Sequence, residues 1–219
     1  MEKVIKETGF EPILEKIFKP LDSSTLLMCQ SVCKYWNQVV QNPSFLLKQL
    51  ELAKMPIEIH RKWKELTTSL QDQIALLGDL SKCLLWALEF TKDGFFSPET
   101  AASSLGFVPL LKFISNNAKI NFSGDGPNKS TPLHCAALYG HLEALKFLAK
   151  LTENLTIENK YRATPIHSGA KSGKVEIMKY FQEMGCDLND YMTFDPKRPI
   201  IQDFSSKTFD PKDIKSKDI

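Results

Sequence analysis

The chain has 219 residues, 42% of them hydrophobic, which is enough apolar side chain to bury a core and enough length for a small module beside a larger one. Its 28 basic and 26 acidic residues leave a formal net charge of +2, a balance that gives no compositional support to nucleic-acid or membrane-surface binding. Cys29, Cys33, Cys83, Cys135 and Cys186 follow neither a disulfide framework nor a four-ligand metal spacing, and they point to a reducing compartment. The opening residues, MEKVIKETGF, lack the apolar core of a signal peptide, and no stretch approaches the roughly 18 uninterrupted apolar residues of a membrane span. A soluble protein of the cytoplasm or nucleus is expected.

Short helices come first. Pro12 suits a first helical turn, and Ile13, Leu14, Ile17, Phe18 and Leu21 form one apolar stripe at helical spacing. KPLDSS interrupts it. Ser23 or Ser24 caps a second helical stretch carrying Leu26, Leu27 and Met28 and leading through Val32 to Tyr35, Trp36, Val39 and Val40, before Asn42-Pro43 breaks the pattern again. Helices this short make a poor isolated core, so burial against a partner would help them.

EPILEKIFKPLDSSTLLMCQSVCKYWNQVV resembles an F-box. The resemblance is carried by Ile13-Leu14, Ile17-Phe18, Leu21-Asp22, Leu26-Leu27, Val32-Cys33-Lys34 and Trp36, in order and in spacing. It departs at the entry, where Gly9 and Phe10 replace the family's Leu-Pro pair and Pro12 replaces a glutamate. The resemblance implies docking on the Skp-family linker subunit of an SCF-type ubiquitin ligase through Pro12, Ile13, Leu14, Ile17, Leu21, Leu26 and Trp36. For Ile17, Leu21 and Leu26, plain packing in a helical cap stands level with that role.

A boundary is expected between about Met55 and Lys64. Beyond it DQIALLGDLSKCLLWALEF, Asp72 to Phe90, is too apolar to face water on all sides and is expected to pack on the segment C-terminal to it.

That segment is built from a repeated unit. TPLHCAALYGHLEALKFL starts at Thr131, and TPIHSGAKSGKVEIMKYF starts 33 residues later at Thr164. Threonine caps a helix whose first residue is proline, histidine is placed to hydrogen-bond back to the threonine, small residues let the next helix approach, and Gly140 or Gly173 stops the helix. Leu142, Leu145 and Leu148 then form the stripe of a second helix, with Phe147 at its edge. A fainter copy lies 34 residues upstream, with Ser97, Pro98, Ala101, Ala102 and Gly106 in the same roles. Downstream, Arg198, Pro199 and Ile200 begin a fourth that the sequence does not sustain. These residues resemble ankyrin repeats, about three of them, which is also about the number needed for a stable stack.

The expected architecture is all-α: an F-box-like module at 1–55, linking and capping helices at 56–93, ankyrin repeats at 94–192 and a partly disordered tail at 193–219. Lys129 and Arg162 stand where the family has a turn glycine, two residues before each threonine. By the same resemblance, Pro127, Asn128, Leu138, Tyr139, Lys160, Tyr161, Lys171 and Ser172 would face a target protein, the two tyrosines being the better anchors because aromatics dominate hot spots. A merely solvated surface is the alternative for each. His60, His134, His141 and His167 form no catalytic or metal-binding constellation, and no phosphate-cradling glycine loop is present. No cofactor, nucleic acid or membrane is therefore called for. The expected function is a substrate-recognition adaptor of an SCF-type ligase, not itself an enzyme, that raises the local concentration of its target. An ankyrin scaffold or inhibitor with no ligase role is the other reading.

Overall fold

A computed structural model describes residues 41–52, 55–90, 96–122, 124, 127–152 and 154–186, with the single positions 16, 25, 28, 29, 37 and 40. The described residues form α-helices and one short 3-10 turn, without strands, in agreement with the all-α expectation. Among the elements described from end to end, α1 (Pro43–Leu52), α2 (Ile57–Ser69) and α3 (Ile74–Glu89) precede three helix pairs. The pairs are α4 (Pro98–Leu105) with α5 (Val108–Asn117), α6 (Pro132–Leu138) with α7 (Leu142–Ala149), and α8 (Pro165–Ser172) with α9 (Val175–Glu183).

Local chemistry sets where the first helix of each pair begins and ends. Ser97, Thr131 and Thr164 stand at the N-caps in extended backbone, each followed by a proline that has no N–H to leave unpaired. The upstream copy uses a different pair for the same job: the Ser97 hydroxyl lies 3.0 Å from that of Thr100 and accepts the Thr100 backbone N–H at 3.4 Å. At the other end, Gly106, Gly140 and Gly173 take left-handed φ values of 72°, 71° and 67°, which turn the chain into the second helix.

Stacking is a consequence of these ends. α1 packs on α2 and α3, α3 on α4, α4 on α6 and α6 on α8, while each first helix also holds its own second helix. The apolar α3 does pack on the first repeat, as its composition demands: Leu80, Cys83 and Leu84 are fully buried along it. A single apolar core runs from Cys29, Val40 and Leu46 through Trp63, Leu84 and Leu110 to Leu133, Ile177 and Phe181. Each fully buried leucine contributes about 1.5–3 kcal/mol relative to exposure. The span from Met55 to Lys64 holds the start of α2.

The join between α2–α3 and the first repeat is the most specific part of that core. Trp63 is fully buried, and its indole N–H donates to the Phe96 carbonyl at 2.9 Å, so its polar atom is not stranded. Lys62 reaches Glu99 at 3.3 Å, a carboxylate only 6% exposed. Trp86 packs its ring against Phe90, Phe96 and Tyr139 at centroid distances of 4.8, 4.5 and 6.2 Å. As a result every residue of α4 except Leu105 is buried.

Candidate interaction surface

The turns ahead of α6 and α8 carry half of the expected target-facing residues, and backbone geometry brings them together. Pro127–Lys129 is a short turn in which Asn128 and Lys129 have φ of 59° and 56°. In the next turn the Asn159 side-chain oxygen accepts the N–H groups of Tyr161 at 2.9 Å and Ala163 at 3.1 Å, and Arg162 has φ of 62°. Lys160 donates its backbone N–H to the Asn128 carbonyl at 2.7 Å, tying one tip to the other. Lys129 and Arg162 thus keep the left-handed turn that glycine would otherwise provide, so these departures from the family pattern change the side chain without changing the turn.

The remaining expected residues sit elsewhere. Leu138, Tyr139, Lys171 and Ser172 lie at the far ends of α6 and α8, about seven residues or 10 Å along the axis from the caps. Leu138 and Tyr139 are half-buried, the latter with its ring on Trp86, while Lys171 is exposed and Ser172 turns its hydroxyl onto the Gly169 carbonyl at 2.6 Å. At the tips Tyr161 is half-buried beneath the Lys160 ammonium, 5.8 Å from its ring centroid. Pro12, Ile13, Leu14, Ile17, Leu21, Leu26 and Trp36 lie outside the described residues, as does the chain after Cys186.

Two histidines tie the repeats together. His134 Nδ1 takes a hydrogen bond from the Thr131 hydroxyl at 2.8 Å, and its Nε2–H donates to the Ala163 carbonyl of the next turn at 2.8 Å. Burial pushes its pKa down to about 4, so the ring is neutral at pH 7 and matches that donor-and-acceptor arrangement. His167 repeats the local half of this pattern, with Thr164 at 2.8 Å.

A second pair of equivalent positions was not legible in the sequence. His141 Nε2 donates to the Ser104 carbonyl at 2.9 Å, and Lys174, one repeat on, donates to the Gly140 carbonyl at 3.2 Å. Both clasp the end of the preceding repeat's first helix, where carbonyls lack helical partners. Burial lowers the His141 pKa too. Their equivalent spacing was the available signal, but the residue types differ.

Two of the thiols are buried and held protonated. Burial raises Cys83 and pushes Cys135 up to about 12. Among the described residues no cluster of three His, Cys, Asp or Glu side chains could hold a metal ion. A cleft of about 750 Å³ between the closing loops at Lys119–Phe122 and Leu151–Asn154 has Lys119 as its one ionisable side chain among the described residues. No helix among the described residues is long and apolar enough to cross a membrane.

Two family models match the chain. An F-box-like model covers residues 11–52 and an ankyrin-repeat model, in three copies, covers 100–192. The chain therefore carries an F-box-like domain with ankyrin repeats C-terminal to it, both modules that typically bind other proteins. A comparison with curated proteins finds no match.

Proposed function

We propose that this chain, an F-box-like domain with ankyrin repeats after it, is a substrate-recognition adaptor of an SCF-type cullin-RING ubiquitin ligase. The F-box-like stretch binds the Skp-family linker subunit through Pro12, Ile13, Leu14, Ile17, Leu21, Leu26 and Trp36, and the repeats hold a target protein. The carrying observation is the order of the two modules joined by one uninterrupted core, from Val40 and Leu46 in the F-box-like match to Phe181 in the third repeat. Carrying both modules on one chain raises the effective concentration of target near the ligase. The adaptor needs no catalytic residue of its own, and no cofactor.

The test is capture of a purified Skp-family linker subunit by the full chain. Leu14→Asp, which puts a charge into the proposed contact, is expected to abolish capture while the thermal midpoint of the repeats holds. Trp36→Ala is expected to weaken capture about 100-fold or more, the loss of a buried aromatic hot spot. Wild-type capture that survives both substitutions would leave the chain an ankyrin scaffold without a ligase role.

A further inference from the structure

Three cations, Lys129, Lys160 and Arg162, line one edge of the second and third repeats. Lys129 and Arg162 occupy the same position one repeat apart, both in left-handed backbone that glycine enters freely and a residue with a Cβ enters at a cost. The turn needs the conformation, not the charge. Strain retained at equivalent positions is a recognised mark of function.

The hydrogen bond from Lys160 to Asn128 draws both tips into a single edge. Lys129 and Lys160 are exposed and make no ion pair with a described carboxylate, while Arg162 shares only an exposed i,i+4 pair with Glu158 at 3.5 Å. Such a pair is easily exchanged for a better one. Residues 96–186 as a whole carry ten basic and seven acidic side chains, so the excess is small and the tips concentrate it.

Building on the adaptor reading, we infer that the edge formed by Lys129, Lys160, Arg162 and Tyr161 docks a carboxylate-rich stretch of the target protein. The cations steer and hold the acidic side chains, and Tyr161 supplies aromatic contact area. A nucleic acid fits less well: the net charge is only +2, and Glu158 sits within the edge.

The experiment is a fluorescence-anisotropy titration of a labelled glutamate-rich peptide with the full chain at low salt, beside a glutamine-rich peptide of equal length and a single-stranded RNA oligonucleotide. Saturable binding of the glutamate peptide is expected, weakening as salt is added. The double variant Lys129→Gly/Arg162→Gly separates binding from folding. Release of strain should raise Tm by about 2–4 °C, while loss of two cations should weaken peptide binding about five- to tenfold. The inference is overturned if the wild-type chain ignores the glutamate peptide, if the RNA binds more tightly, or if the variant binds the peptide unchanged. It is also overturned if the variant melts earlier, because the cations would then serve the fold. Linker-subunit capture by the same sample keeps the two readings apart: a chain that captures the linker but not the peptide sinks this inference alone.

Discussion

The first and third repeats share one blueprint and expose very different amounts of it. In α4 seven of eight residues are buried, whereas in α8 Pro165, Ile166 and Gly169 are the buried ones. Among the described helices α4 is packed between α3 and α6, whereas α8 packs on α6. α2 and α3 cover the first repeat with Trp63, Trp86 and the Lys62–Glu99 pair, so α4 serves as an anchor. α8 is half-buried along most of its length, with Lys171 exposed, and the tip in front of it carries Lys160, Tyr161 and Arg162. One repeat unit therefore packs to different depths at its two positions in the array.

Breaking the anchored end should have the largest effect. Trp63→Ala removes a fully buried indole and its hydrogen bond to Phe96, and about 3–5 kcal/mol of unfolding free energy should disappear in a urea melt. An exposed residue at the open end, such as Lys171→Ala, should change it by less than about 0.5 kcal/mol.

Acid should act where the repeats meet. The unfolded chain protonates its histidine near pH 6.5 and the folded chain protonates His134 only near 4, so the unfolded state binds more protons in between. The contribution of the neutral ring is whole above about pH 6.5 and is lost as pH falls toward 4, to a total of about 3 kcal/mol. Urea midpoints measured from pH 7 to pH 4 should show this slope, and His134→Gln should reduce it to the part that His141 contributes while starting from a lower value.

A matched pair of substitutions sharpens the comparison further, at two glycines with the same conformation. A Cβ on Gly106 would come within 2.6 Å of the His141 ring, which is fixed on Ser104, whereas one on Gly173 would meet nothing within 4 Å. Gly173→Ala should cost only the left-handed strain, about 1–2 kcal/mol. Gly106→Ala adds a steric clash and should cost about 1–3 kcal/mol more. Equal costs would mean that the first repeat is no more tightly enclosed than the third.

Much of the stack could be read before any coordinates, because its punctuation is local. A threonine, a proline and a returning histidine fix a helix start within four residues, and the glycine that ends the helix lies within the same unit, so the copies at Thr131 and Thr164 and the fainter one at Ser97 could all be recognised. The features that spacing could not reveal depend on packing between distant segments. Trp63 meets Phe96 and Trp86 meets Tyr139 only after the helices dock, and no periodicity encodes which face of α3 does the covering. Lys129 and Arg162 read as lapses from a glycine pattern, whereas their backbone keeps the glycine conformation. Of the expected target-facing residues, Asn128, Lys160 and Tyr161 meet at the tips, while Tyr139 leans on Trp86.

A bridging measurement tests the adaptor account most directly: immobilise the Skp-family linker subunit, load the full chain, and then flow the glutamate-rich peptide over it. The account expects the chain to be retained and to take up the peptide with the affinity it shows in free solution, because the two proposed surfaces belong to different modules of the chain. A chain that is not retained, or that releases the linker as the peptide binds, would contradict it.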